Sequence, residues 1–490
     1  MVARLTKYSI VVFFCVMTTL LVLRQPAFTV QSAEDLGTLS RIAAQSGQVW
    51  SGIYFVNKKS GKRTKIGYAK SETVKETAGY IISSESRLKI MAQGTEAQVR
   101  MLSKTLTDLD NHLLSIDFSM LSDTIKFELF GRVKNGKLNL EIKTAGAMQY
   151  KVIDMPPNTV LPETMLAEAA RKGLEVGQVV TVPFFDPTSF NLTETQLKVV
   201  EKVKLSETDD ATVYHLSASY SGIIIDAWVD EKGQTLREEA AGILTKVETE
   251  KQALTSGWGE GAPTDLIDQV AVKTKKKIKN PRGLRSLKLA LRGIDLADYS
   301  FEDHRQTLTG NVVDISIEKS PDSPATIPLP TEGFEEFLKE TPTIQTNDPA
   351  IRAKAFEIVA KEKNALKAAR AISDWVYQTL EKKPLISIPS ARDILEIKRG
   401  DCNEHATLYT ALARVVGIPT RIEVGLVYFK DGFYYHAWNA VYVGQWLALD
   451  ATFGQFPADA THLKVLSGDL DAQIPILNMI GNLEIDIMSD

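Results

Sequence analysis

Apolar and polar positions alternate along much of residues 34–250, and a period of two predicts β-strands. Val49–Val56, Thr124–Phe130 and Leu138–Ile142 carry this pattern, broken by turns such as Lys134-Asn135-Gly136. Tyr214–Ala218 and Ile223–Val229 lead into Asp230-Glu231-Lys232-Gly233, a hairpin signal. Within this region only Pro162–Lys172 reads as a helix, stopped by Gly173. Alternation returns at Leu287, Leu289 and Leu291, which predicts a small β module. Beyond Pro-rich 320–330 and 341–349 the apolar spacing changes to three and four. Ala350–Lys361 and Ala365–Glu381 are predicted helices, the second with Ile372, Trp375, Val376 and Leu380 along it. A short helix is expected from Ser390, another through Ala406–Val416, then strands at Arg421–Phe429, Phe433–Val443 and Gln445–Leu449. The tail from Thr461 to Ile487 is expected to form a closing strand pair.

The expected fold is therefore multidomain. A mainly antiparallel β domain (33–255) and a linker (256–280) precede the small β module (281–345). An α+β domain (346–490) follows, its helices leading into an antiparallel sheet. The linker begins with Ser256-Gly257-Trp258-Gly259-Glu260-Gly261 and continues into a lysine run (Lys273, Lys275–Lys277, Lys279). That run reads as a solvated edge, with contact to anionic lipid or cell-wall polymer as the alternative.

Residues 1–32 have the form of an export signal. Arg4 and Lys7 precede about fifteen mostly apolar residues that end at Arg24, short for a spanning helix but suited to a signal peptide. Val30-Gln31-Ser32 offers a cleavage site, and an uncleaved anchor is the alternative. The expected location is periplasmic or extracellular. Over 490 residues, 44% hydrophobic and 24% charged content fits a globular chain. A net charge of −4 argues against nucleic acid as a partner.

Export changes the meaning of the cysteines. The chain has two, and Cys15 lies in the leader, so a processed chain keeps Cys402 alone and can form no internal disulfide. Gly400-Asp401-Cys402-Asn403-Glu404 reads as a turn running into a helix, with Asp401 as N-cap and Glu404 completing a capping box. A thiol at the first helical position meets unpaired N–H groups and the positive end of the helix dipole, which favour thiolate. A buried structural cysteine is the plainer reading of Cys402 taken by itself. Two later segments change that balance. Tyr434-Tyr435-His436-Ala437-Trp438 lies in a predicted strand, and Trp446-Leu447-Ala448-Leu449-Asp450 in a second one. The turn Val443-Gly444-Gln445 makes the two antiparallel neighbours. A base and an orienting carboxylate could thus face one helix start, as a cysteine nucleophile requires.

At these residues the chain resembles the transglutaminase-like superfamily, thiol enzymes related in mechanism to papain-like proteases. Gly400-Asp401-Cys402, Arg414, Gly417-Ile418-Pro419-Thr420-Arg421, His436-Ala437-Trp438 and Trp446…Asp450-Ala451-Thr452 carry the likeness, over about 349–465. Ala451 stands where the family often has Pro. The resemblance implies a Cys402–His436–Asp450 triad acting on peptide or protein amides, without a cofactor. Hydrolysis is favoured over transfer to a lysine amine. Arg414 is expected to anchor structure, Trp438 to pack in the core, and His462 to be structural. A metal site built from His405, His436 and Asp450 is the weaker reading. Two functions of other classes stay open. One is a non-catalytic scaffold that binds peptide or cell-wall polymer; the other is a lipid or lipoprotein carrier built on the N-terminal β domain.

Overall fold

The computed structural model describes residues 36, 39–40 and 48–489, apart from internal segments of which 166–174, 205–211, 256–270 and 469–475 are the longest. The leader with Cys15, most of the predicted 162–172 helix and the glycine-rich start of the linker lie outside the described residues. Among the described residues no helix is long and apolar enough to cross a membrane. The chain divides into two compact units, one made mainly of residues up to Asp265 and the other mainly of Leu266–Asp490.

The N-terminal unit is one antiparallel sheet of fourteen described strands. The first eight form successive hairpins, as do the last six, and Ile243–Glu248 returns to pair with Gln48–Val56. At the Asn135-Gly136 turn both residues have positive φ (53° and 69°), the backbone a two-residue hairpin requires. The sheet carries an open cavity of about 390 Å³ bordered by Lys70, Glu85, Ser103, Asp117 and Glu128 among others.

In the C-terminal unit the predicted helices form with caps legible in the sequence. Pro349–Val359 starts at Asp348, whose carboxylate accepts the Ala350 and Ile351 N–H groups. Ala365–Thr379 is capped by Asn364. Ser390 and Asp393 make a capping box for Ala391–Ile397. These helices pack around the cysteine helix, Cys402–Val415. That helix lies in turn on a five-stranded antiparallel sheet. The central strand pair is Thr420–Phe429 and Gly432–Tyr442, with His462–Ser467 on the far side of the first. Trp446–Leu449 and the two-residue strand Val272–Lys273 pair with opposite ends of the second.

Two pairings depart from expectation. Val272–Lys273, in the stretch read as linker, joins the sheet beside Phe433 and Gly432. The tail does not close on itself: His462–Ser467 enters the large sheet, whereas Glu484–Ser489 pairs with Ser286–Arg292. Ser286–Arg292, Gln306–Thr309, Val312–Ser316 and Glu484–Ser489 thus form a four-stranded sheet.

Candidate active site

The cysteine helix starts as its residues dictate. Asp401 accepts the Asn403 N–H at 2.9 Å, and Glu404 accepts the Asp401 N–H at 2.7 Å, so the capping box closes in both directions. Gly400 is required by close approach, since a Cβ there would stand 2.2 Å from that of Glu404. Cys402 is the first helical residue and 4% exposed.

A gap in the sheet receives its sulfur. Along the edge of Gly432–Tyr442 remote from Thr420–Phe429, Val272–Lys273 covers residues 432–433 and Trp446–Leu449 covers 439–442. Between them the strand's outer N–H groups face no other strand among the described residues, and there Ala437 N–H donates to Cys402 Sγ at 3.3 Å. The thiol therefore sits against the residue that follows His436. Odd-numbered neighbours tie the strand to the helix: Tyr435 Oη–H donates to Asn403 at 3.3 Å, and Asn439 Nδ2–H donates to the Ala406 carbonyl and to Thr410. Even-numbered His436 and Trp438 face the other set of partners, as period two demands.

His436, 3% exposed, donates from Nε2 to Asp450 Oδ2 at 2.8 Å. This fixes the neutral ring with its proton on Nε2 and leaves Nδ1 as the basic nitrogen. The imidazole lies nearly parallel to Phe453, 4.9 Å away, and the Arg282 guanidinium lies over the same Phe453 ring at 4.4 Å. Asp450 is wholly buried at the end of Trp446–Leu449, and its Oδ1 accepts the Thr452 and Phe453 N–H groups at 2.7 and 3.1 Å. Burial opposes charge on this carboxyl, but His436 and His462 outweigh it and hold its pKa well below the usual carboxylate range. For His436, burial dominates over the pull of Asp450 and lowers the pKa.

His436 and Asp450 are thus hydrogen-bonded, Cys402 Sγ lies against the backbone of the residue after His436, and a residue expected to be structural joins them. His462 Nε2 reaches the same Asp450 Oδ2 at 3.0 Å, while its Nδ1 faces the Asp459 carbonyl at 3.1 Å and Asp459 Oδ1 at 3.3 Å. Asp459 in turn binds Arg282 at 2.9 Å. No sequence motif marked His462, Asp459 or Arg282. Their one signal was indirect: His462 is among the few histidines of this domain.

The other expectations sort by contact. His405 donates from Nδ1 to the Asp401 carbonyl at 2.6 Å, and burial pushes its pKa down to about 4, so it is neutral. Arg414 holds the Thr420 and Lys339 carbonyls and anchors the helix end. Trp438 is 1% exposed and packs on Ala448 and Ala458. Asn439, three residues after His436, serves the helix instead of the imidazole. Among the described residues two groups place possible metal-ligand atoms within 4.8 Å of one another: Asp108, Asp110 and His112 in a turn of the N-terminal sheet, and here His436, Asp450 and His462, without His405. Tetrahedral zinc with bonds of about 2.0–2.1 Å spaces its ligand atoms by about 3.3 Å. The observed 2.8 and 3.0 Å separations are those of ring N–H groups donating to one carboxylate oxygen.

Known proteins resemble parts of this chain. Residues 352–451 match the family model of the transglutaminase-like superfamily. An uncharacterized protein of Haemophilus influenzae is 32% identical over 97 residues, which are 19% of this chain and 26% of that protein. The chain thus matches about a quarter of that relative's length. Among solved structures, a candidate cysteine protease from Cytophaga hutchinsonii is 17% identical, with a TM-score of 0.31 over 41% of this chain and 81% of that one. A β-barrel-like protein from Brucella abortus, a domain of unknown function, is 12% identical, with a TM-score of 0.32 over 41% of this chain and 94% of that one. With a cysteine at a capped helix start and a histidine and an aspartate on paired strands beside it, residues 352–451 are a transglutaminase-like domain.

Proposed function

We propose that this protein is an exported thiol acyl-transfer enzyme acting on peptide or protein amides. The observation that carries the reading is the juxtaposition of Cys402 Sγ, held by Ala437 N–H, with the His436–Asp450 hydrogen bond on the same strand pair. His436 Nδ1 takes the thiol proton as sulfur attacks the amide carbonyl carbon. The Cys402 N–H, at the helix start, is the candidate donor to the developing oxyanion. The C–N bond then breaks, His436 returns the proton to the leaving amine, and a thioester remains on Cys402. Water, giving a proton to His436, attacks the thioester; the acid departs and the thiol is restored. A lysine amine in place of water would make a crosslink. Hydrolysis is favoured because water needs no acceptor pocket of its own.

Alkylation of Cys402 by iodoacetamide, followed by peptide mass spectrometry from pH 5 to 10, tests the reading. Reaction should stay fast well below 8.5, the ordinary cysteine value. A profile that follows an ordinary thiol, or labelling only after denaturation, would sink it. Peptide libraries with and without a primary amine then separate hydrolysis from crosslinking.

A further inference from the structure

His462 lies outside the residues matched by the family model, yet it is fully buried against the centre of the site. Each of its ring nitrogens faces an acceptor. Nε2 meets Asp450 Oδ2, and Nδ1 meets the Asp459 carbonyl oxygen, which can only accept. A neutral imidazole has one N–H, so either tautomer would set a lone pair against an oxygen in a dry interior. Only the imidazolium satisfies both sides. A proton on Asp450 instead would crowd a carboxyl whose two oxygens already take N–H groups from His436, Thr452 and Phe453.

We propose that His462 is a positioning residue: a permanent buried cation that pins Asp450 from behind and keeps His436 uncharged, ready to act as a base. The inference rests on the thiol-enzyme reading above. Its physical content is a row of alternating charges running away from the thiol. Neutral His436 is followed by Asp450 as anion, His462 as cation, Asp459 as anion and Arg282 as cation. Among the described residues a further cation reaches this row: Arg305, buried, donates to the same Asp459 carbonyl oxygen at 2.8 Å. Lys382 and His405 act on Asp450 from the cysteine side, and His405 is neutral. Burial opposes charge on His462, but Asp459 and Asp450 outweigh it and raise its pKa.

The arrangement has a kinetic consequence. An aspartate with no cation behind it would pull a proton onto His436 and leave it protonated at neutral pH, where it could not take one from the thiol. With His462 charged, the Asp450–His462 pair is neutral as a whole. Asp450 then orients His436 through one hydrogen bond without strongly raising its basicity. The His436 and His462 ring centres are 5.6 Å apart. A unit charge at about 6 Å and an effective dielectric near 20 moves a titration by about one to two pH units.

The test uses the full chain labelled with ¹³C,¹⁵N-histidine and carrying Cys402→Ala, so that thiol titration does not couple to the imidazoles. In that protein both His462 ring nitrogens should be protonated at pH 7.5. In Cys402→Ala/His462→Gln the His436 midpoint should rise by about one to two pH units. A neutral His462 ring at pH 7.5, or a His436 midpoint unchanged or lowered, overturns the inference. A merely structural His462 would leave that midpoint in place. If the double variant does not fold, the His462 charge in Cys402→Ala decides alone, its resonance assigned by substituting the other histidines. Failure of the enzyme reading shows elsewhere, as an ordinary alkylation profile of Cys402 in the unmodified chain.

Discussion

Asp450 is the residue on which the site turns, because both of its oxygens are fully used. Oδ2 takes N–H groups from two imidazoles and Oδ1 takes two backbone N–H groups. An asparagine cannot imitate this. With its oxygen toward the histidines, its NH₂ would face the Thr452 and Phe453 donors; turned over, it would face two ring N–H groups. Asp450→Asn should therefore lower activity on an amide substrate by on the order of 10²–10⁴, by analogy with the serine triad. It should also cost about 1–3 kcal/mol of stability through unpaired buried donors. Both come from one preparation, by a rate assay and a thermal melt. Undiminished activity would remove Asp450 from the mechanism, and an unchanged melting temperature would contradict the hydrogen-bond assignment.

At the scale of elements, the cysteine helix, the helices before it and the strands after it were legible in the sequence, and the long-range pairings around them were not. Asp401 and Glu404 announce a cap locally, and the cap formed as read. Gly444, with φ of +113°, made the turn that places Asp450 beside the histidine strand. What escaped was non-local. Pairing of Ile243–Glu248 with Gln48–Val56, or of Glu484–Ser489 with Ser286–Arg292, depends on matching edges across long loops, which no periodicity reports. His462 escaped for the same reason. Its strand lies next to Thr420–Phe429 because Gly425 lets the chains approach, a Cβ there falling 2.0 Å from the Leu463 carbonyl oxygen. The cap itself can be tested at Gly400. Gly400→Ala would press on Glu404, opening the capping box and displacing Cys402. The expected loss is about 0.5–2 kcal/mol in urea unfolding, the cost of a lost cap. Cys402 alkylation at pH 7 should slow with it. A variant as stable and as quickly alkylated as the parent would show that the turn does not set the thiol.

For the whole molecule, the buried histidines of the Leu266–Asp490 unit set how stability depends on pH. His405 is held neutral by burial, its pKa pushed down to about 4 from an ordinary 6.5, and His436 is lowered in the same sense. In the unfolded chain both take up protons as pH falls through about 6.5, whereas the folded unit refuses them until far lower. Acidification therefore favours unfolding across this window, at about 1.4 kcal/mol per pH unit for each such group, or roughly 3 kcal/mol for His405 by pH 4. His462 has the opposite sign: with its pKa raised, its stabilisation is complete below the unfolded value and fades only as pH rises through the folded one. Asp450 and Asp459 are depressed, so their contribution is lost only below the ordinary carboxylate range. Stability of this unit should accordingly be greatest near pH 6.5–7 and fall steadily toward pH 4.5. Urea unfolding followed through Trp375, Trp438 and Trp446 measures it, with the tryptophans of the N-terminal unit replaced by phenylalanine. His405→Leu should flatten the acid slope, since the Asp401 carbonyl keeps the His405 backbone N–H as donor after the ring is gone. A midpoint that does not change between pH 7 and 4.5, or a slope untouched by His405→Leu, would show that His405 is not the buried neutral base described.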